Sequence, residues 1–212
     1  MFAAAFPLPV RSVTDAREHL LDGAAAVLAR TGYLAASFED AAHWAGMPAH
    51  EMHEHFSSKE DLFLSVLDRI AEEWLEYMAV LERSPRPVPA RLHQILVLRV
   101  LFRYDRLAPM GPGLAEMLAA LRPAYLARSL GHFEREAKLL ESVLTEGLQA
   151  RTLARISDAG CTARTMILAT NSLLPHCLRQ RDWNDREALE RNAAGVATLL
   201  VRSVVRLRKV RA

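Results

Sequence analysis

Three histidines, His50, His53 and His55, lie within six positions of the sequence, and His43 precedes them closely. Imidazole nitrogens are common zinc ligands, so a metal site is the first chemistry that these residues suggest. Side chains three or four positions apart share a helical face, which aligns His50 with His53 but not His53 with His55. No cysteine lies in this segment. We therefore predict no metal, and histidines that face solvent or a binding partner.

The two cysteines, Cys161 and Cys177, are too few for a disulfide framework, which favours a reducing cytoplasm. They fall on one predicted helix, about 24 Å apart at 1.5 Å per residue, so they cannot pair within one chain. We expect two buried thiols. The sequence has no glycine-rich phosphate loop, nucleophile elbow or His-Glu-x-x-His zinc helix. It therefore predicts neither an enzyme nor a bound cofactor.

The composition predicts an all-α protein. Of 212 residues, 51% are hydrophobic and only 7% aromatic, and Ala, Leu, Glu and Arg, all strong helix formers, dominate. The longest apolar runs fall far short of the roughly 20 residues of a membrane helix, so no membrane partner is expected. The formal net charge of +2 is unevenly distributed, because residues 11–83 hold six Lys and Arg against fourteen Asp and Glu.

Helix start and stop signals divide the chain. Ser37 and Asp40 have the spacing of a capping box, Gly46 is suited to a helix C-terminus, and Pro48 suits a new first turn. The prolines of the segment 84–89 make it a connector. The predicted helices run from Thr14 to Gly32, Ser37 to Gly46, Pro48 to His55 and Ser58 to Arg83, and then over 89–106, 112–121, 123–149, 158–181 (kinked at Pro175) and 185–209.

Two short helices joined around Gly46, preceded by one helix and followed by a long one, are typical of a helix-turn-helix. The residues of this region indicate a particular family more specifically than the helix pattern does. Segments that resemble the TetR family signature in order and spacing, over residues 14–66, are Leu20-Leu21-Asp22-Gly23-Ala24, Gly32-Tyr33, Ser37-Phe38-Glu39-Asp40-Ala41-Ala42, Ala45-Gly46-Met47 and Phe56-Ser57-Ser58-Lys59-Glu60-Asp61-Leu62.

This resemblance implies a homodimeric transcriptional regulator whose third helix enters the major groove of operator DNA, usually as a repressor. It divides the chain into an arm (1–13), a helix-turn-helix domain (14–57) and a ligand-binding and dimerisation domain (58–212). By position it makes Ser37 and Lys59 phosphate contacts and Arg17 a nearby backbone contact. The implied reading surface consists of Ala49, His50, Glu51 and His53.

The third helix departs from the family pattern. Pro48 replaces the usual capping serine, His50 the small glycine and Glu51 the usual threonine, and Glu54 adds a further negative charge. Residues 34–56 contain four acidic residues and no Lys or Arg. Because phosphate attraction supplies most non-specific affinity, this surface is a poor one for DNA. The alternative is therefore a co-regulator of the same fold that binds a partner through a weakened reading head.

The part of the chain after residue 58 is rich in large flexible side chains. By resemblance it holds a cavity for a small hydrophobic effector, although plain core packing explains the same residues equally well. The predicted lining is Trp74, Tyr77, Met78, Phe102, Met117, Phe133, Met166 and Asn171, of which Asn171 is the polar residue suited to orienting a ligand. The apolar surface of residues 158–181 and 185–209 exceeds what one core needs and predicts a four-helix dimer interface.

Overall fold

The computed structural model describes residues 16–154, 156–178 and 183–205. The α-helices of these residues are α1 (Ala16–Ala35), α2 (Phe38–Ala45), α3 (Met52–His55), α4 (Lys59–Glu82), α5 (Val88–Leu107), α6 (Gly111–Gln149), α7 (Ala159–Asn171) and α8 (Arg186–Val204). Short 3-10 helices occupy Ala49–Glu51, Ala108–Met110 and Pro175–Cys177. The described residues contain no strand, only an isolated bridge between Leu153 and Val205. The predicted all-α fold is confirmed.

Proline explains two differences from the predicted helices. The expected helices 112–121 and 123–149 form one element, α6, which is interrupted only by the non-helical backbone of Leu121 (φ −113°, ψ 15°), two residues before Pro123. The expected helix over 158–181 ends at Asn171. A proline ring clashes with the carbonyl four residues earlier, and Pro175 stands four residues after Asn171. A separate 3-10 turn therefore follows instead of a kinked helix.

The ends of the chain and the two cysteines also need comparison with the sequence predictions. The predicted arm, residues 1–13, lies outside the described residues, as do residues 206–209 of the last predicted helix. Cys161 and Cys177 are both exposed, so the prediction of buried thiols was wrong. The reason is that Cys161 lies in the first turn of α7 and Cys177 lies in the turn that replaces its second half.

The described residues divide into two compact units. The first unit contains residues 16–73 and 105–129, and the second contains 74–104 and 130–205. In the first unit, α1 and α2 approach closely, because a Cβ on Gly23 would stand only 2.5 Å from the carbonyl oxygen of Ala41. The largest fully buried side chains there are Leu20, Leu21, Leu28, Met52, Leu62 and Phe63.

The second unit has an apolar core built around α5, whose Leu92, Ile95, Leu96 and Leu101 are fully buried. This core also encloses charged side chains, since Arg91, Arg99 and Glu136 are buried as well. None of the helices in the described residues is both long enough and apolar enough to cross a membrane.

Candidate nucleic-acid interface

The capping box at the start of α2 forms as the sequence predicts. The amide of Asp40 donates to Ser37 Oγ (3.0 Å), and the amide of Ser37 donates to Asp40 Oδ2 (2.8 Å). Hydrogen bonding to the side chain and backbone of Ser37 lowers the pKa of the Asp40 carboxyl below its usual value. Asp40 is therefore ionised near neutral pH, at the helix end that attracts phosphate.

The turn after α2 depends on Gly46, which adopts a left-handed conformation (φ 68°) and donates its amide to the carbonyls of Ala42 and His43. The next helix begins at Pro48, which contributes no side-chain cap, as its lack of an oxygen predicts. The first turn after it, Ala49–Glu51, is a 3-10 helix, and only Met52–His55 is α-helical.

We call Ala49–His55 the reading segment. Its inner side is anchored by Met52, which is fully buried, and the following Phe56 is buried too. Ala49, His50 and His53 are exposed and Glu51 is half-buried. The His53 ring lies 5.0 Å from the ring of Phe38, centroid to centroid. The predicted reading residues thus lie on one exposed, anchored turn; their contact with bases stays a prediction.

The start of α4 is capped by the hydroxyl of Ser58, which accepts from the amide of Asp61 (3.1 Å). The carboxylate of Asp61 reaches back to the amide and hydroxyl of Ser57, both at 3.0 Å. Burial acts to raise the pKa of Asp61, but hydrogen bonds from Ser57 and Arg128 outweigh it and leave the pKa lowered.

The two cationic residues predicted to touch the DNA backbone both stack on aromatic rings. Lys59 Nζ lies 4.5 Å from the centroid of the Tyr33 ring, and the Arg17 guanidinium lies 5.1 Å from that of Phe56. Both side chains are half-buried. Such contacts restrict where each charge lies. Lys59, at the start of α4, is held against Tyr33 of α1, and Arg17, at the start of α1, is held against Phe56, the residue after the reading segment.

The sequence does not predict two polar residues of α6 that bond to other helices of the first unit, Arg128 to α4 and Glu116 to the end of α1. The Arg128 guanidinium donates to Asp61 Oδ1 (2.8 Å), Asp68 Oδ2 (2.8 Å) and Ser65 Oγ (3.1 Å) of α4. Glu116 accepts from the amide of Leu34 (3.2 Å), just after Gly32 breaks α1 with φ 77°. No spacing in the sequence signals contacts between residues 60 to 82 positions apart.

The predicted effector residues do not all belong to one unit. Met117 is buried in the first unit, whereas Trp74, Tyr77, Met78, Phe102, Phe133, Met166 and Asn171 belong to the second. Within the second unit the rings of Trp74, Tyr77 and Phe102 contact one another, with centroids 5.6 to 6.2 Å apart. Whether these side chains line a cavity for an effector stays a prediction.

A buried polar network that the sequence did not predict adjoins these rings. Glu136 accepts from Arg99 Nε (3.0 Å), from Arg103 Nη2 (3.2 and 3.3 Å) and from the indole nitrogen of Trp74. Arg99 also donates to Thr170 Oγ1 and Asn171 Oδ1, each at 2.8 Å. The sequence signals this network at one place, where Arg99 and Arg103 interrupt the long apolar run of α5. The predicted polar residue Asn171 therefore orients Arg99.

On the helices predicted to form the dimer interface, large apolar side chains are exposed: Leu168 of α7 by 58% and Leu199 of α8 by 71%. The described residues hold no group of three or more His, Cys, Asp or Glu arranged to bind a metal ion.

Residues 20–66 match the family model of bacterial regulatory proteins, tetR family. Among solved structures, the chain is similar to a TetR transcription regulator from Haloarcula marismortui (18% identity, 91% of this chain and 100% of that one, TM-score 0.69). It is also similar to FadR from Bacillus subtilis in complex with stearoyl-CoA (19%, 87% and 97%, 0.66).

A third similar structure is SmeT, the repressor of the Stenotrophomonas maltophilia multidrug efflux pump SmeDEF (16% identity, 91% of this chain and 92% of that one, TM-score 0.65). No curated protein sequence matches the chain. The predicted resemblance is confirmed, and at these identities the solved structures establish a shared fold.

Proposed function

We propose that this chain, a tetR-family protein through its residues 20–66, is a homodimeric transcriptional repressor that binds operator DNA and releases it when a small hydrophobic effector binds. The observation that carries the proposal is the reading segment itself. Its outer side chains, Ala49, His50 and His53, are exposed, while Met52 and Phe56 anchor it in the core. A short helix held in this way can enter a major groove without losing its packing.

The contacts to DNA phosphates are few in this proposal. Ser37 and Lys59 stand at the starts of α2 and α4, where backbone amides favour an anion, and Arg17 stands in the first turn of α1. Against them, hydrogen bonds lower the pKa of the Asp40 and Glu60 carboxyls, which are therefore ionised at neutral pH. We therefore expect weak non-specific binding, with specificity supplied by contacts of the reading segment to base edges.

Two further features support the remaining parts of the proposal. Leu168 and Leu199 expose apolar surface on the helices expected to dimerise, which a second copy of the chain would bury. The contacting rings of Trp74, Tyr77 and Phe102 suit a hydrophobic effector. Among its structural relatives, SmeT is a repressor and FadR is in complex with stearoyl-CoA.

The test is selection of bound fragments from random DNA by the purified full chain at low salt, followed by affinity measurements on the enriched sequence. Lys59→Ala should weaken binding and reduce the slope of log affinity against log salt by roughly 0.9, the value of one phosphate contact. Glu54→Lys should strengthen binding. Lys138→Ala, which removes an exposed lysine from α6 in the second unit, is the matched control and should change neither quantity.

A second candidate function is a co-regulator that binds a protein partner. The observation that favours it is the absence of any Lys or Arg from residues 34–56, together with Trp44, an exposed residue of α2 whose surface is 49% accessible. Large exposed aromatic side chains are frequent anchors of protein interfaces. Recovery of no enriched sequence, with no DNA affinity even at low salt, would reject operator binding in favour of this function.

A further inference from the structure

The network around Glu136 places three charges in the interior of the second unit. We call Arg99, Arg103 and Glu136 the charge cluster. The exposed fractions of the Arg99 and Glu136 side chains are 4% and 3%, whereas that of Arg103 is 15%. Removing charged groups from water is expensive, and well-packed apolar residues often replace such clusters without loss of stability. The cluster is therefore a feature that stability alone does not require.

The charges within the cluster do not balance. Burial acts to raise the pKa of Glu136, but Arg103 and Arg99 outweigh it and leave the pKa lowered, so Glu136 is ionised. One carboxylate thus faces two guanidinium groups. Because Arg103 shares Glu136 with Arg99, its hydrogen bonds to that carboxylate are long, at 3.2 and 3.3 Å.

Arg103 also retains donors. A guanidinium has five N–H donors in a planar fork. Among the described residues, those of Arg103 donate from Nη2 to Glu136 and from Nη1 to the carbonyl of Arg99 at 3.3 Å. Its Nε–H and one hydrogen of Nη1 are left over. These donors belong to the one member of the cluster that reaches the surface.

The surroundings of Arg103 are aromatic. Its guanidinium lies 5.4 Å from the centroid of the Trp74 ring, which in turn contacts Phe102 (5.6 Å) and Tyr77 (6.2 Å). Tyr77 and Phe102 are nearly parallel, with 16° between their planes. A charged donor therefore adjoins a cluster of aromatic rings that is buried at Trp74 and Phe102 and half-buried at Tyr77. This arrangement suits a ligand with an anionic head and a hydrophobic body.

We propose that the charge cluster binds the carboxylate of a hydrophobic acid through the N–H donors of Arg103 that Glu136 does not occupy, with the apolar body of the acid against Trp74, Tyr77 and Phe102. The inference rests on the proposed function, since this acid would be the effector. A carboxylate accepts strong charge-assisted hydrogen bonds from a guanidinium, so the acid would give Arg103 a second anionic partner. Thr170 and Asn171 position the site by holding Arg99 against Glu136.

The test compares decanoate with decan-1-ol, which has the same chain without the charge, by calorimetric titration of the full protein without DNA at pH 7.5. The wild type should bind decanoate at least tenfold more tightly, which corresponds to about 1.4 kcal/mol. Arg103→Gln should reduce this preference to about one and leave the affinity for decan-1-ol within threefold of its wild-type value. Arg164→Gln, which removes an exposed arginine paired with Glu134, is the control and should retain the preference.

Several results would overturn the inference: equal wild-type affinities for the two ligands, a preference that survives in Arg103→Gln, or no heat from either ligand up to 1 mM. If Arg103→Gln fails to fold, Arg103→Lys keeps the charge without the fork, and it should still reduce the preference. Because the titration contains no DNA, failure of operator binding leaves this readout intact. Operator binding without any preference for decanoate would reject this inference alone.

Discussion

The polar contacts that cap the helices around the reading segment and those inside the second unit join residues at very different distances along the chain. Around the reading segment, Ser37 and Asp40, and likewise Ser58 and Asp61, bond to each other across three positions. In the second unit, Glu136 meets arginines 33 and 37 positions earlier, and Arg99 reaches a residue 72 positions later. Local pairs cap the starts of helices, whereas distant pairs, including those of Arg128 in the first unit, fix how helices pack. The first kind can be recognised in a sequence and the second cannot.

Among the substitutions that test this comparison, removal of the Glu136 carboxylate should cause the largest loss of stability. Glu136→Gln leaves two guanidinium groups in the interior without a carboxylate, and breaking a buried pair in this way typically costs 3–5 kcal/mol. We expect a loss of about 3 kcal/mol in the free energy of unfolding, measured with urea. Glu134→Gln, on the same helix but exposed to solvent, should leave the unfolding midpoint unchanged. Equal effects of the two variants would mean that burial of the cluster contributes nothing.

The same comparison explains what the sequence revealed. The signals at Ser37, Gly46 and Ser58 are local, so the helix-turn-helix and its boundaries were predicted to within a few residues. The end of α7 at Asn171 was missed because the clash with Pro175 was interpreted as a kink. The charge cluster was not predicted, because Arg99 and Arg103 only interrupt the apolar run of α5 and gain Glu136 as a partner through packing. Asn171 was singled out for its polarity, without its partner.

Close backbone contact between α1 and α2 also fixes the packing of the first unit. Gly23→Ala would place a Cβ 2.5 Å from the Ala41 carbonyl oxygen, and α1 and α2 would have to separate. Overpacking of this kind typically costs 1–3 kcal/mol, so we expect a loss of about 2 kcal/mol in urea unfolding. Gly131→Ala of α6 meets nothing within 4 Å. This control should be neutral or stabilising, because alanine favours a helix more than glycine does. Similar losses in both variants would show that the close contact at Gly23 is not responsible.

Loss of a local cap should have a smaller effect. Ser37→Ala removes the side-chain acceptor for the Asp40 amide, and such substitutions typically cost about 1 kcal/mol. The matched control is Ser142→Ala, an exposed position inside α6, where alanine favours the helix. Thermal unfolding followed by circular dichroism would compare the two variants. A melting temperature of Ser37→Ala at or above that of the wild type would show that the cap is dispensable.

Acid should remove the other half of this capping box. Because hydrogen bonds to Ser37 lower the pKa of Asp40 in the folded state, its contribution to stability is present above the unfolded pKa, about 3.9, and is lost as pH falls through the folded value. The stability difference between wild type and Asp40→Asn should therefore be constant from pH 7 to 5 and shrink below pH 4. Glu39→Gln removes a neighbouring charge without touching the cap and should keep the acid-dependent loss. A difference between wild type and Asp40→Asn that persists undiminished at pH 2 would assign the stabilisation to something other than the ionised carboxylate.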